Sequence, residues 1–66
     1  MSKRYEIRVK GVLSDALLGA FPELTAAVRG GETVLSGALD RAALYGVLDH
    51  IEALGIELLE VRQPAD

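Results

Sequence analysis

Residues 40–55 have the sequence DRAALYGVLDHIEALG, which predicts an amphipathic helix. Asp40 is suited to begin this helix, because its carboxylate can accept hydrogen bonds from free backbone amides and favours the positive end of the helix dipole. Gly55 is suited to end it in the left-handed conformation that closes many helices. Apolar side chains recur at the spacing of one helix face. They are Leu44, Val47, Leu48, Ile51 and Leu54.

Two strands and a tight turn are predicted before this helix. The glycine pair at 30–31 supplies the positive φ angles of a two-residue hairpin turn, which joins a strand over 25–29 to a strand over 32–39. Glycine at position 37 leaves space for a helix to cross the second strand closely. The side of that strand expected to face the core carries Leu35, Gly37 and Leu39.

A last strand is predicted over 56–62, with apolar residues of both parities. Ile56 and Leu58 point to one side of a regular strand, whereas Leu59 and Val61 point to the other. Three explanations are open: the strand begins late, a bulge shifts the register, or one apolar pair contacts another subunit. The residues that follow, 63–66, are expected to form a polar tail.

The amino-terminal third predicts a strand followed by a short helix. Residues 4–10 alternate strictly, as in a half-buried strand, with Tyr5, Ile7 and Val9 on the core side. Ser14 or Asp15 can then cap a helix. Pro22 disfavours helical geometry at the residue before it, so we expect about two turns that end near Phe21.

The order of elements, βαββαβ, indicates the fold class. Two right-handed βαβ crossovers interleaved in one sheet place both helices on the same face. We therefore expect a single α+β domain over 1–66 with a ferredoxin-like sandwich, a four-stranded antiparallel sheet in the order 4-1-3-2. A rearranged or domain-swapped α+β dimer is the main alternative.

Composition excludes several classes of chemistry. The chain has no cysteine, which excludes disulfides, thiolate zinc sites and cysteine nucleophiles. Its net charge of -3 argues against a general binder of nucleic acid, which needs clustered positive charge. It shows no signal-peptide pattern and no apolar run near the roughly 20 residues of a bilayer span, so we expect a cytoplasmic protein without membrane contact. A core built mainly from Leu, Ala and Val is meagre, which favours a homodimer.

A candidate partner surface lies on the side of the sheet away from the helices. If the first and last strands pair centrally, their basic side chains share that face, and two apolar side chains add contact area. The alternative is a solvated network of cross-strand ion pairs that include Glu6 and Glu60. The residues of this predicted partner surface are Arg4, Arg8, Lys10, Val34, Leu58 and Arg62.

No catalytic, cofactor-binding or metal-binding residue is predicted. His50 is the only histidine, and its neighbours in sequence include Tyr45, Asp49 and Glu52. A half-exposed imidazole beside an apolar helix stripe needs no functional reason, however. Glu57 and Glu60 lie three apart on a strand and point to opposite faces, which is poor geometry for a metal site.

Residues 33–62 resemble short stand-alone actinobacterial proteins without an assigned activity. The resemblance lies in the segments TVLSG at 33–37 and LGIELLEVR at 54–62. The outline also resembles ACT regulatory domains, which implies amino-acid binding, although their usual Asp-Arg-Pro-Gly-type loop is missing. Heavy-metal-associated chaperones are similar in length, but this chain lacks their CxxC pair. Small tautomerases need a proline where Ser2 stands, and RNA-recognition sheets need aromatic residues on their central strands.

These observations favour a noncatalytic interaction module that forms a homodimer through the open sheet face or through edge strands. The alternative is a small-ligand-binding regulatory domain, or a minimal enzyme, with its site between subunits. Such a site would use His50, Tyr45 or the first loop.

Overall fold

The computed structural model describes residues 1–64. Its elements are β1 Lys3–Lys10, α1 Asp15–Leu18, β2 Thr25–Arg29, β3 Glu32–Leu39, α2 Arg41–Ala53 and β4 Leu58–Arg62. The four strands form one antiparallel sheet in the order β2-β3-β1-β4. A sheet has no preferred edge, so the same order counted from β4 is 4-1-3-2. The architecture is α+β, with β2 and β4 as the two edge strands.

Both helical segments pack on one face of the sheet around a small hydrophobic core. The strands contribute the odd-numbered side chains of β1 and β3, α2 contributes its predicted stripe, and the segment after α1 contributes an aromatic ring. The buried core residues are Ile7, Val9, Phe21, Leu35, Leu39, Leu44, Val47 and Ile51. Leu54, expected in the stripe, is instead 39% exposed because it is the C-cap of the helix.

Helix α2 begins and ends as the sequence predicts. The carboxylate Oδ1 of Asp40 accepts a hydrogen bond from the backbone N–H of Ala43 at 2.7 Å. At the other end Gly55 has a φ of 75°, and the N–H of Ile56 donates to the carbonyl of Ile51 at 3.1 Å. This six-to-one hydrogen bond is that of a Schellman motif, which turns the chain toward β4.

Removing the cap should weaken the fold measurably. We expect Asp40→Ala to lower the free energy of unfolding by about 1 kcal/mol, because the amide of Ala43 loses its acceptor. Urea denaturation followed by circular dichroism measures the change. Asp49→Ala is the matched control, since it removes an exposed aspartate within the same helix, and should change stability by less than about 0.5 kcal/mol. Equal effects of the two substitutions would contradict a capping role for Asp40.

Helix α1 is one turn long, so the expectation of two turns was wrong. Ser14 caps it, and its hydroxyl oxygen accepts a hydrogen bond from the N–H of Leu17 at 3.2 Å. Beyond the turn, the N–H of Phe21 donates to the carbonyl of Leu18 at 3.0 Å, a three-residue bond of 3₁₀ type. Because Pro22 disfavours helical backbone at Phe21, the chain tightens there and inserts the phenyl ring into the core.

The hairpin between β2 and β3 has the predicted turn, in which Gly30 and Gly31 have φ values of 54° and 81°. Gly37 is buried on the core side, as expected. The segment that crosses it, however, is a loop rather than a helix, because α1 ends early. A Cβ atom at Gly37 would lie only 2.8 Å from the carbonyl oxygen of Glu23.

A bulge resolves the conflicting parities of the last strand. Arg8 pairs with Glu60, but the next residue, Val9, pairs with Leu58, so Leu59 is the extra residue. The strand also begins at Leu58, two residues later than expected. The bulge allows apolar residues of both parities to pack against the core, and these are Ile56 and Val61.

Candidate functional site

The face of the sheet opposite the helices is open, and it holds most of the predicted partner surface. It carries the even-numbered side chains of β1 and β3, the odd-numbered ones of β2, and two charged residues of β4. A shallow groove of about 320 Å³ crosses it. The groove is lined by Glu6, Arg8, Arg29, Glu32, Val34, Glu60 and Arg62.

Arg8 stands at the centre of this open face and bridges two strands. Its Nη1 donates to Glu32 Oε1 at 2.9 Å, and its Nη2 donates to Glu60 Oε1 at 3.3 Å. Glu32 raises the pKa of Arg8 above its ordinary value in two ways. The larger effect is its hydrogen bond with the guanidinium group, and the second is the negative charge of its carboxylate. Its two ion pairs link β1 to β3 on one side and to β4 on the other.

A second ion pair lies beside the first. Arg62 Nε donates to Glu6 Oε1 at 3.0 Å, across the β1–β4 pair. Arg8 and Arg62 are thus neutralised by carboxylates, as the ion-pair interpretation of this surface predicts. Arg4 and Lys10 are exposed on the same face and extend its positive charge toward the two ends of β1.

Leu58 does not lie on the open face, so its inclusion in the predicted partner surface was wrong. The bulge in β4 places it opposite Val9, whose side chain is in the core, and Leu58 remains 44% exposed. It lines a separate groove of about 410 Å³ on the helix side, with Leu48, Ile51 and Ile56. Val34 is where the prediction placed it, half-buried among the charged side chains.

The sequence interpretation missed Arg29, which completes the open face. The two-residue turn pairs Arg29 with Glu32, so both side chains point to the same side of the sheet. Glu32 in turn is the salt-bridge partner of Arg8. This placement was available from the hairpin itself, because residues that flank a two-residue turn lie directly opposite each other.

His50 lies at a different place, on the exposed side of α2. Its ring is tilted at 55° to that of Phe21, with centroids 5.3 Å apart. A shallow groove of about 450 Å³ between α2 and the loop before β2 includes His50 and Phe21 but not Tyr45, which is 61% exposed. Within one chain, His50 and Tyr45 therefore do not share a groove.

The first loop is tied to the hairpin by a buried hydroxyl. The Oγ1 of Thr33 donates to the carbonyl of Gly11 at 2.7 Å and accepts from the N–H of Leu13 at 3.2 Å. Thr33 is 1% exposed, and both of its hydrogen-bonding roles are satisfied within the chain. These bonds hold the loop in place and leave no polar group of Thr33 available to a ligand.

Residues 1–64 contain neither a cluster of metal-binding side chains nor a helix that could cross a membrane. No group of three or more histidine, cysteine, aspartate or glutamate side chains in that part of the chain is arranged to hold a metal ion. Within the same residues, neither helix has the length and apolar character that a bilayer crossing requires.

The two edges of the sheet differ in how they are protected. Edge strands are usually shielded by charges, proline or bulges, which discourage pairing with another strand. Strand β4 has such features: a bulge, Glu60 and Arg62, and Pro64 shortly after its end. All five residues of β2 are exposed, and TAAVR contains a single charge and no bulge. Strand β2 is therefore the unprotected edge.

The unprotected edge also has free backbone groups at defined positions. Gly11 N–H donates to the carbonyl of Gly31 at 2.9 Å, which indicates that the odd-numbered residues of β3 direct their backbone groups toward β1. The even-numbered residues of β3 then bond to their partners in β2, at positions 25, 27 and 29. Consequently Ala26 and Val28 direct their N–H and C=O groups away from the sheet.

Comparison with known proteins identifies a family whose function is unknown. Residues 4–62, which span β1 to β4, match the model of a family described as a domain of unknown function, DUF8691. No curated protein and no solved structure matches the chain. The comparison names no organism, so the resemblance to actinobacterial stand-alone proteins stays a prediction.

Proposed function

The chain belongs to the DUF8691 family of domains of unknown function, and we propose that it is a noncatalytic interaction module that forms a homodimer through β2. In this proposal the fold is a ferredoxin-like sandwich that works in the cytoplasm, and two copies join into one continuous eight-stranded sheet. The observation that carries the proposal is the unprotected edge: five consecutive exposed residues, four of them uncharged, with free backbone groups.

A two-fold axis at Ala27 makes β2 complementary to itself. Antiparallel pairing about that axis sets Ala26 opposite Val28 of the second copy and Ala27 opposite its own counterpart. Because Ala26 and Val28 direct their N–H and C=O groups outward, the two symmetric pairs can exchange about four backbone hydrogen bonds. Arg29 then lies opposite Thr25 of the second copy, so the pairing places no like charges directly opposite each other.

Burial of apolar side chains on the helix side of β2 would also favour dimerisation. Ala26 and Val28 have the parity of the buried Leu35 and Thr33, yet Val28 is 59% exposed because the short α1 does not extend over β2. Pairing with a second β2 would bring these side chains against their symmetric counterparts and remove apolar area from water. Because residues 1–64 include only eight buried core side chains, this burial is a useful addition.

The first test is the oligomeric state of the unmodified protein, measured by light scattering and sedimentation over micromolar to high micromolar concentrations. We expect a dimer. Val28→Lys should shift the protein to monomer, because it places two ammonium groups at the new strand junction. Ala26→Pro should do the same by removing an outward N–H that the β2–β3 ladder does not use.

Leu58→Lys is the matched control for Val28→Lys. It introduces the same charge at a similarly exposed apolar residue, but on the β4 edge, and should leave the dimer unchanged. A monomeric wild-type protein at high micromolar concentration would contradict the proposal. So would a dimer that survives both substitutions in β2, or one that only Leu58→Lys disrupts.

A further inference from the structure

We propose that the dimer binds one small dianion on its open face, between the two copies of Arg29 at the two-fold axis. This inference rests on the proposed function, because the site has one arginine from each copy and is incomplete in a monomer. The ligand class is a compact molecule with two negative charges, such as a phosphate group or a short dicarboxylate.

The open face is positive although the whole chain is negative. Five basic side chains point to it, Arg4, Arg8, Lys10, Arg29 and Arg62, and three acidic ones, Glu6, Glu32 and Glu60. Its formal charge is therefore +2, whereas the chain as a whole has -3, so the rest of the chain carries -5. Such an asymmetry attracts anions to the sheet and repels them from the helix side.

Arg29 is the basic residue of this face that lies on the unprotected edge. Arg8 and Arg62 donate to carboxylates of neighbouring strands, and among the described residues no salt bridge involves Arg4, Lys10 or Arg29. Of these three, Arg4 and Lys10 lie on the central strand β1, and Arg29 alone lies on β2. The nearest carboxylate across the strand pair, Glu32, already accepts from Arg8. Arg29 is exposed at the end of the edge strand, where its five guanidinium N–H groups can be directed to an anion.

Self-pairing of β2 brings two such arginines to one small area. Arg29 and its counterpart lie diagonally about the two-fold axis, with Cα atoms roughly 14 Å apart by ordinary strand spacing. If both arginine side chains extend toward the axis, the gap between their guanidinium groups is about the size of a small anion. Beneath them lie the two methyl groups of Ala27, which leave room for it, and the hydroxyl of Thr25 lies opposite each arginine and can add a hydrogen bond.

The arrangement favours a small dianion over an extended polyanion. Two guanidinium groups related by symmetry match two negative charges and can each bind a carboxylate or phosphate in a bidentate manner. An extended nucleic acid would also meet the carboxylates of Glu6, Glu32 and Glu60 in both copies. It would find no aromatic side chain on this face to stack on, since Tyr5 has the core-side parity and neither Phe21 nor Tyr45 is on the sheet.

The experiment is isothermal titration calorimetry of the dimeric protein with inorganic phosphate and, separately, with succinate, at constant ionic strength. We expect one anion per dimer with at least one of these probes. Tighter binding of phosphate would indicate a phosphate-bearing natural ligand, and tighter binding of succinate a dicarboxylate. Because the anion binds only to the dimer, it should also lower the dimer dissociation constant measured by sedimentation.

Arg29→Gln should weaken the binding by about tenfold or more, since each copy loses a charge-assisted hydrogen bond. The variant should remain dimeric, because the β2 contacts are made by backbone and apolar groups. Arg29→Lys should give an intermediate affinity. Arg62→Gln is the matched control: it removes one positive charge from the same face, but on β4, and should change affinity by less than about threefold.

The failure of this inference is distinguishable from the failure of the dimer. A wild-type dimer that binds neither probe contradicts the anion site alone, whereas a monomer contradicts both proposals. Binding of one anion per chain, or equal losses with Arg29→Gln and Arg62→Gln, would show a site within each subunit or a diffuse charge effect. Either result overturns the site at the two-fold axis.

Discussion

Gly37→Ala should destabilise the fold by about 3 kcal/mol, although it adds a single methyl group. The new Cβ atom would lie 2.8 Å from the carbonyl oxygen of Glu23 and 2.9 Å from Cδ2 of Leu24. The leucine side chain could rotate, but the carbonyl belongs to the backbone of the loop that leads into β2. The crossing loop must therefore move away from β3, and part of its packing is lost. Equilibrium urea unfolding measures the difference.

Gly46→Ala is the matched control, because it makes the same glycine-to-alanine change at a position where the added methyl group meets no neighbour. Gly46 lies in the interior of α2, and an added Cβ would meet nothing within 4 Å. Alanine is the better helix former, so this variant should be more stable than the wild type by up to about 1 kcal/mol. If Gly37→Ala were tolerated as well as Gly46→Ala, the close approach of the loop to β3 would be contradicted.

Phe21→Ala should have the largest effect of any single truncation, a loss of about 3–5 kcal/mol. Phe21 is 2% exposed, is the largest of the fully buried side chains, and connects the segment after α1 to the core. Its ring also lies against His50 on α2. For a domain with so small a core, a loss of this size is comparable to the whole free energy of unfolding. Circular dichroism with thermal and urea unfolding measures it.

Tyr45→Ala is the matched control for Phe21→Ala, since it removes an aromatic ring of similar size from a residue that is 61% exposed. We expect its effect on the free energy of unfolding to be within about 1 kcal/mol of zero. A small effect of Phe21→Ala, or a large one of Tyr45→Ala, would mean that the ring of Phe21 does not organise the core.

Much of the candidate site followed from alternation along the strands. The strict pattern of residues 4–10 places Arg4, Arg8 and Lys10 on the face away from the helices, and the structure has them there. Leu58 was misplaced, because a bulge reverses the parity on which such reasoning depends. Arg29 was overlooked because its significance comes from its neighbours across the turn rather than from its own strand.

The difference between the two edges of the sheet was not predicted. The sequence is compatible with a dimer through the open face and with a dimer through an edge strand, and it does not distinguish between these two interfaces. The choice of β2 depends on which strands are at the edges and on how far α1 extends over the sheet. Both are properties of the packed molecule, and both are needed to see that Ala26 and Val28 are uncovered.

Local signals in the sequence determined the elements themselves. Asp40 and Gly55 set the limits of α2, the pair Gly30-Gly31 set the hairpin, and the alternation of residues 4–10 set the central strand. Each depends on backbone geometry or side-chain periodicity within a few residues, which a single chain segment expresses by itself.

Tertiary structure decided where those elements stop and what they leave exposed. It shortened α1 to one turn, placed a loop rather than a helix over Gly37, and inserted the bulge at Leu59. These features arise because a small core must be filled without gaps, and the chain gives up regular hydrogen bonding where packing gains more. The same compromise left all five residues of β2 exposed.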